Sequence, residues 1–278
     1  MDRPLTLAYS PCPNDTYIFA ALTQGLLSDV PAVRAVLEDI ENLNSSALKG
    51  DYELTKVSYG VVPALSDNYR ILRAGGALGR GCGPLLLARP GSSKTLDDFK
   101  DTLIAIPGER TTAFMLLRLA MGESPQVIQM RFDNIVEAVE NGTVEAGLII
   151  HESRFTYQTS DLVEVIDLGK WWEETTGMPI PLGAIMARND LSDDQATAID
   201  RAIRESLKFA RENEAQIMSY VREHAFEMSD EVMRKHIELY VNDFSDDVGD
   251  EGIAAVRELF ARAQDAGLIP KTTEPRFV

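Results

Sequence analysis

The chain has 278 residues, 45% of them apolar and 26% charged, enough to bury one large core or two modest ones. Its 27 lysines and arginines stand against 44 aspartates and glutamates, a net charge of −17. With no basic cluster to interrupt it, that balance argues against nucleic acid and anionic membrane as partners, because both require a basic footprint.

In chain order, the run LTLAY from Leu5 reads as a strand, and its position leaves no room for the basic and apolar regions of a secretory signal. No later run approaches the ~18 consecutive apolar residues of a membrane helix. Two cysteines, Cys12 and Cys82, are too few for a disulfide framework, so a reducing cytoplasm is the expected compartment. After LTLAY the pattern predicts a helix over Tyr17 to Leu27, then the strand VRAVLED with a helix over Leu43 to Leu48. TKVSY with Val61 to Leu65 and the extended YRILRAG follow. GPLLLAR opens a second set: LIAIP into a helix over Thr111 to Met121, VIQMRF into Ile135 to Val139, AGLII, LVEVIDL and PLGAIMAR. Such alternation predicts βαβ units and mostly parallel sheets. From Ser192 a capping-box sequence SDDQ opens a helical tail with Ala196, Ile199, Ile203, Leu207 and Ala210 on one stripe. Amphipathic segments around Val232 to Val241 and Ile253 to Phe260 come after it.

If the chain crosses to a second lobe at GPLLLAR and returns at PLGAIMAR, the result is two α/β lobes, a two-strand hinge and a cleft. Residues 1–85 with 185–278 would form lobe I and 86–184 lobe II. That architecture closes around small molecules.

Three extended runs end in a Pro/Gly-rich or hydroxyl-bearing turn that leads straight into a helix: SPCPNDTYIF, KVSYGVVPAL and IPGERTTAFMLL. Ser10, Asn14, Asp15 and Thr16, then Ser58, then Thr111 and Thr112 are candidate caps or pocket hydroxyls. Free N–H groups at a helix start attract a carboxylate or phosphate, and in α/β sheets such loops lie at the ligand-binding ends of strands. Plain helix capping is the competing explanation for each loop, and Asp15 counts against an anion at the first helix. The glycine run GGALGRGCG lacks both phosphate-loop orders. It suits a bend where the chain leaves the first lobe, with Arg80 as an anion partner or as part of an exposed turn.

The three histidines differ in context. His224 lies near a helix end, and His236 falls in step with Val232 and Tyr240, the pattern of a satisfied core residue. His151 directly follows the buried-strand run AGLII. An imidazole there, with an ordinary pKa of about 6.5, suits a catalytic base facing a cleft; a strand-end histidine bonded to backbone is the alternative. No metal-ligand spacing and no GxSxG elbow occurs. Cys12, between Pro11 and Pro13, is either a packing residue or one half of a thiol–imidazole dyad with His151. Trp171 and Trp172 are core residues, or one of them lines the cleft.

Together SPCPNDTYIFAAL, VLEDIENLN, LTKVSYG, GGALGRGCGPL, EAGLIIHESRFTY, WWEETTGMPIPLGAI and YVNDFSDDVG resemble the 1,4-dihydroxy-6-naphthoate synthase family of the futalosine route to menaquinone. The resemblance implies an α/β, two-lobed, periplasmic-binding-protein-like (type II) fold with a hinge and interlobe cleft. It also implies a carbon–carbon lyase that uses no cofactor and no metal. The expected reaction splits cyclic dehypoxanthinyl futalosine into 1,4-dihydroxy-6-naphthoate and dihydroxyacetone by a base-initiated retro-aldol type cleavage. On the same resemblance His151 is the proton acceptor, and Lys56, Val57, Ser58, Thr111 and Thr112 bind a small-molecule carboxylate substrate. Ser10, Asn14, Asp15, Thr16, Arg80 and Arg154 are further pocket candidates. The chorismate dehydratase of the same pathway and a non-catalytic solute-binding protein are the alternatives, the latter expected to carry an export signal.

Overall fold

The computed structural model describes residues 3–91, 95–225, 229–271 and 274–278. The first elements are β1 (Leu5–Tyr9), α1 (Pro13–Thr23), β2 (Val33–Leu37), α2 (Ile40–Lys49), β3 (Leu54–Ser58), α3 (Val62–Leu65), β4 (Tyr69–Ile71) and β5 (Ala77–Gly79). Next come β6 (Leu85–Ala88), β7 (Leu103–Ile106), α4 (Thr112–Met121), β8 (Gln126–Gln129), α5 (Ile135–Glu140), β9 (Ala146–Ile149), α6 (Ser153–Thr156), β10 (Val163–Asp167) and α7 (Leu168–Thr176). After β11 (Ile180–Arg188) follow α8 (Asp193–Glu212), α9 (Glu214–His224), α10 (Asp230–Tyr240), α11 (Asp243–Asp246) and α12 (Gly249–Asp265).

The described strands form two sheets. The first has the order β2-β1-β3-β11-β4 with β5 also on β11, and the second has the order β10-β6-β9-β7-β8. Both sheets are mixed, which corrects the expectation of mostly parallel pairing. β1 runs parallel to β2 and β3, and β7 runs parallel to β8 and β9, as helical crossovers require. The strands next to the crossings, β6 and β11, are not fed by such crossovers, and they pair antiparallel with β9 and β3. The chain therefore passes between sheets twice, from β5 to β6 and from α7 to β11.

α1 begins four residues earlier than the periodicity suggested, at Pro13, whose fixed φ suits a first helical position. It is buried on every side from Pro13 to Leu22, so its sequence carries no stripe to mark its ends. The α8 stripe covers it, sharing one core with Ile18, Phe19 and Ala20. Ser206 of α8 fixes the contact, donating to the Ile18 carbonyl at 2.6 Å and accepting from Leu22 N–H at 3.1 Å. The capping box at Ser192 forms in both directions, with Ser192 Oγ accepting from Gln195 N–H at 3.2 Å and Gln195 returning a bond to Ser192 N–H at 2.8 Å.

Candidate functional site

Four loops converge on one cavity: Ser10 follows β1, Ser58 ends β3, the Thr111–Thr112 pair starts α4 after β7, and His151 follows β9. All four lie at carboxyl ends of parallel strands, two from each sheet, where strand pleating and helix starts leave backbone groups unpaired. Together with Asn14, Asp15, Lys56 and residues of α10 they line a cleft open to solvent on one side, with about 660 Å³ of atom-free space counting its mouth.

Lys56 and Asp15 are the charged centre of its floor. Lys56 Nζ lies 2.6 Å from Asp15 Oδ1, and the two side chains are 5% and 2% exposed. Asp15 does not cap α1. It stands at the third helical position and accepts from Ser10 Oγ at 2.7 Å and Asn14 Nδ2 at 2.8 Å, so its charge is fully occupied within the protein. The cap position itself belongs to Cys12, whose side chain makes no capping bond. Room for the lysine comes from Gly183 on β11, where a Cβ would stand 3.0 Å from Lys56 Cε.

Beside this pair the hydroxyls are mostly committed. Thr111 Oγ1 donates to Gly108 O at 2.7 Å and accepts from Phe114 N–H at 3.2 Å, a regular N-cap. Thr112 Oγ1 donates to Leu182 O at 2.6 Å. What α4 presents to the cavity is therefore its backbone: the N–H groups of Thr112 and Ala113 have no intrahelical acceptor. Ser58 Oγ accepts from Asn44 Nδ2 at 3.1 Å, which leaves its own O–H to donate. Lys56, already paired with Asp15, the Ser58 hydroxyl and the start of α4 thus bring hydrogen-bond donors to one wall of the cavity.

His151 is built differently. With φ at 57°, it and Asp29 are the only non-glycine residues with positive φ among the described residues. Such a backbone costs energy, and it turns the imidazole from the end of β9 into the cavity. Phe132 packs edge-on against the ring at 5.1 Å, and Nδ1 stands 3.6 Å from Cys12 Sγ. Burial pushes the His151 pKa below 6.5, with Lys56 acting in the same direction and the Asp39 and Asp15 carboxylates opposing it. The neutral ring is favoured, the form that accepts a proton. Burial raises the Cys12 thiol well above its usual range, and Glu152 and Asp15 add to the rise, so the sulfur stays protonated. The dyad geometry is present, whereas the thiolate that nucleophilic catalysis needs is disfavoured.

Of the other expected pocket residues, Val57 lies in β3 with its side chain in the core, and Thr16 bonds back to Cys12 O at 3.0 Å inside α1. Neither side chain lines the cavity. Arg80 is on the surface, donating to Glu251 at 2.9 Å and Gly177 O at 3.1 Å. Arg154 is committed to Gly83 O and Asp167, both at 2.7 Å, and braces the wall from behind. Trp172 is fully buried, with Nε1 donating to Pro179 O at 3.0 Å, and Trp171 packs against the same core; the cleft-lining alternative fails for both. His224 bonds Tyr220 O at 2.9 Å at the end of α9. The helical step of His236 correctly marks it as buried, but it is not satisfied: it lines the cavity with Tyr240, and neither ring nitrogen has a partner among the described residues. Cys82 and Glu152 also belong to the surroundings of the site. Cys82 lines it with a thiol pushed up to about 12 by burial, and burial pushes Glu152, next to His151, up to about 7.

Two α/β sheets joined by two crossings, with a ligand-sized cavity at facing strand ends, define the periplasmic-binding-protein-like class. An alkanesulfonate-binding protein of Xanthomonas axonopodis shares the fold at a TM-score of 0.73 and 13% identity, covering 98% of this chain and 96% of that one. A solved structure from Archaeoglobus fulgidus is much nearer, at a TM-score of 0.89 and 36% identity over 96% of this chain and 98% of its own. The sequence profile described as menaquinone biosynthesis matches residues 5–265, and the chain belongs to that family. Two relatives carry the name 1,4-dihydroxy-6-naphthoate synthase. The one from Thermus thermophilus is 50% identical over 99% of both chains; the one from Streptomyces coelicolor is 44% identical over 96% of this chain and 95% of its own.

Proposed function

We propose that this chain is a 1,4-dihydroxy-6-naphthoate synthase, a lyase that splits cyclic dehypoxanthinyl futalosine into 1,4-dihydroxy-6-naphthoate and dihydroxyacetone. The observation that carries the reading is the imidazole of His151, held on a positive-φ backbone and lining one cavity with Lys56, Ser58 and the start of α4, in a chain half identical to a relative of that name. The substrate carboxylate sits against Lys56, Ser58 and the first N–H groups of α4. His151 takes a hydroxyl proton, the adjacent carbon–carbon bond breaks, and its electron pair passes into the ring system, which becomes aromatic as the three-carbon fragment leaves. A positioned base of this kind contributes about 10²- to 10⁴-fold. Two lobes, 1–85 with 185–278 and 86–184, close on the substrate and keep water from the carbanionic intermediate.

Mass spectrometry after incubation with cyclic dehypoxanthinyl futalosine, and separately with chorismate, tests the reading. Dihydroxynaphthoate released from the first alone supports it. Dehydration of chorismate would make the protein the sister enzyme, and binding without turnover would make it a receptor.

A further inference from the structure

His236 occupies an energetically odd position. It sits on α10, is 1% exposed, and forms part of the cavity wall. Neither Nδ1 nor Nε2 has a hydrogen-bond partner among the described residues. Its neighbours hold the ring in place, with the Tyr240 ring at 4.6 Å and the Phe155 ring at 6.0 Å. A buried polar group left without partners lowers stability, and a phenylalanine or leucine at this helical step would pack the same space without that loss. The fold alone gives no reason for an imidazole here.

We infer that His236 is a substrate-contacting residue whose ring shares a hydrogen bond, through one of its nitrogens, with an oxygen atom of the bound ligand. The side chain is of the right kind: a neutral imidazole offers one N–H donor and one lone-pair acceptor. Burial, His151 and Lys56 all act to keep it neutral. A neutral ring brings no opposite charge to a carboxylate and, as donor and acceptor at once, matches hydroxyl and carbonyl oxygens, and in the proposed function the carboxylate sits elsewhere, at Lys56, Ser58 and α4. The inference rests on the proposed function for the identity of the ligand. On that reading the oxygen-rich, sugar-derived part of the substrate meets His236, and the naphthoate part does not. A site built to hydrogen-bond such oxygens discriminates strongly against loss of the partner.

The test uses the full chain with His236→Phe and His236→Gln. Melting temperature, kcat and KM for cyclic dehypoxanthinyl futalosine, and calorimetric binding of 1,4-dihydroxy-6-naphthoate are measured for each. His236→Phe is expected to melt at or above the wild-type temperature, to lose about tenfold or more in kcat/KM, and to bind the naphthoate as the wild type does. His236→Gln, which restores a donor and an acceptor, regains part of the lost kcat/KM. A His236→Phe variant that turns over like the wild type overturns the inference alone. So does parallel loss of stability and naphthoate binding in both variants, which would mark a packing residue. A wild-type protein that does not turn over the futalosine derivative removes the proposed function and this inference with it.

Discussion

Cys12 Sγ lies 3.6 Å from His151 Nδ1, and so links the residue before α1 to the residue after β9 across the cavity. When Nδ1 carries the ring proton, the sulfur accepts a hydrogen bond from it and leaves the Nε2 lone pair for the substrate. The contact is therefore one of orientation. With its pKa raised by burial and by the Glu152 and Asp15 charges, the thiol is a poor nucleophile. Iodoacetamide at pH 7.5 should label neither Cys12 nor Cys82 in the folded protein and both after denaturation. Cys12→Ala should keep at least about a tenth of the wild-type kcat, well above the loss expected for removing a general base. Rapid labelling of Cys12 with matching inactivation would reinstate a catalytic thiol.

His151→Asn keeps a polar side chain of similar shape and removes the proposed base. Its kcat should fall about 10²- to 10⁴-fold with the fold intact. The pH dependence has a definite sign. Because burial depresses the folded-state pKa below 6.5, the proton-accepting form persists at and somewhat below that pH. On the acid side kcat/KM should be flat down to 6.5 and fall only at lower pH. Linkage gives stability the same direction. Between the two pKa values the unfolded chain binds more protons than the folded one, so the stability present above 6.5 is lost as pH falls through the folded value. His236, lowered in the same way, adds to this loss. His236→Phe should therefore melt with a weaker acid dependence than wild type, a comparison that calorimetry from pH 5 to 8 makes directly.

Glu152 behaves in the opposite sense. Burial raises it to about 7, and Oε2 has no partner among the described residues. The folded protein then holds a proton that the unfolded chain releases between 4.5 and about 7, and this group's contribution to stability falls as pH rises through that window. Glu152→Gln is neutral at every pH and should be more stable than wild type at pH 8 by roughly 1–3 kcal/mol, with the difference shrinking as pH falls and vanishing below 4.5. Equal melting temperatures at pH 8 would show that the carboxyl is solvated.

How far this was readable beforehand depends on what each residue's signal is. The alternation of β-branched runs with helical stripes gave both sets of α/β elements. His151 stood out because a titratable side chain follows an apolar strand. Three quantities have no period to read. α1 is buried all round, so its first turn, which carries Asn14 and Asp15, merges with the preceding loop. β6 and β11 look like any apolar strands, and their antiparallel pairing depends on which sheet the chain has just left. His236 shows the third case. Its helical step reports burial but cannot report whether a buried nitrogen meets a partner, because that depends on α6 and the crossing to β6 folding against α10. Arg80 and Arg154 erred the other way, since their charges were spent on Glu251 and Asp167 in distant stretches of chain.

The buried pair at the cavity floor separates stability from activity. Lys56→Met would leave Asp15, 2% exposed, with hydroxyl and amide partners but no opposite charge. Breaking such a pair from one side costs about 3–5 kcal/mol, because a buried charge is left uncompensated. Adding Asp15→Asn to Lys56→Met removes that charge and should return a large part of the lost stability, measured by urea unfolding. Activity should not return with it, since the cation proposed to face the substrate carboxylate is still missing. A double variant that recovered both would place Lys56 in the scaffold alone.

The contact between the two sheets at the start of α4 can be loosened without touching a charged group of the site. Gly60 N–H donates to Thr112 Oγ1 at 3.1 Å, and a Cβ on Gly60 would stand 2.8 Å from the carbonyl oxygens of Arg110 and Thr111. Beside it, Arg110 donates to Glu41 at 3.1 Å, and Asn44 links the same carboxylate, also at 3.1 Å, to Ser58. Backbone meets backbone at Gly60, so an added methyl cannot be accommodated by a rotamer change and must push α4 away from β3. If the closed arrangement is the binding-competent one, every tenfold loss of its population raises the apparent dissociation constant tenfold. Gly60→Ala should raise KM about tenfold or more while changing kcat less, since His151 and its contacts lie elsewhere. Glu41→Gln, which keeps the shape and weakens the Arg110 pair and the Asn44 bond to the same group, should shift KM in the same direction by a smaller factor. A fall in kcat at constant KM in both variants would instead assign this contact to the chemical step.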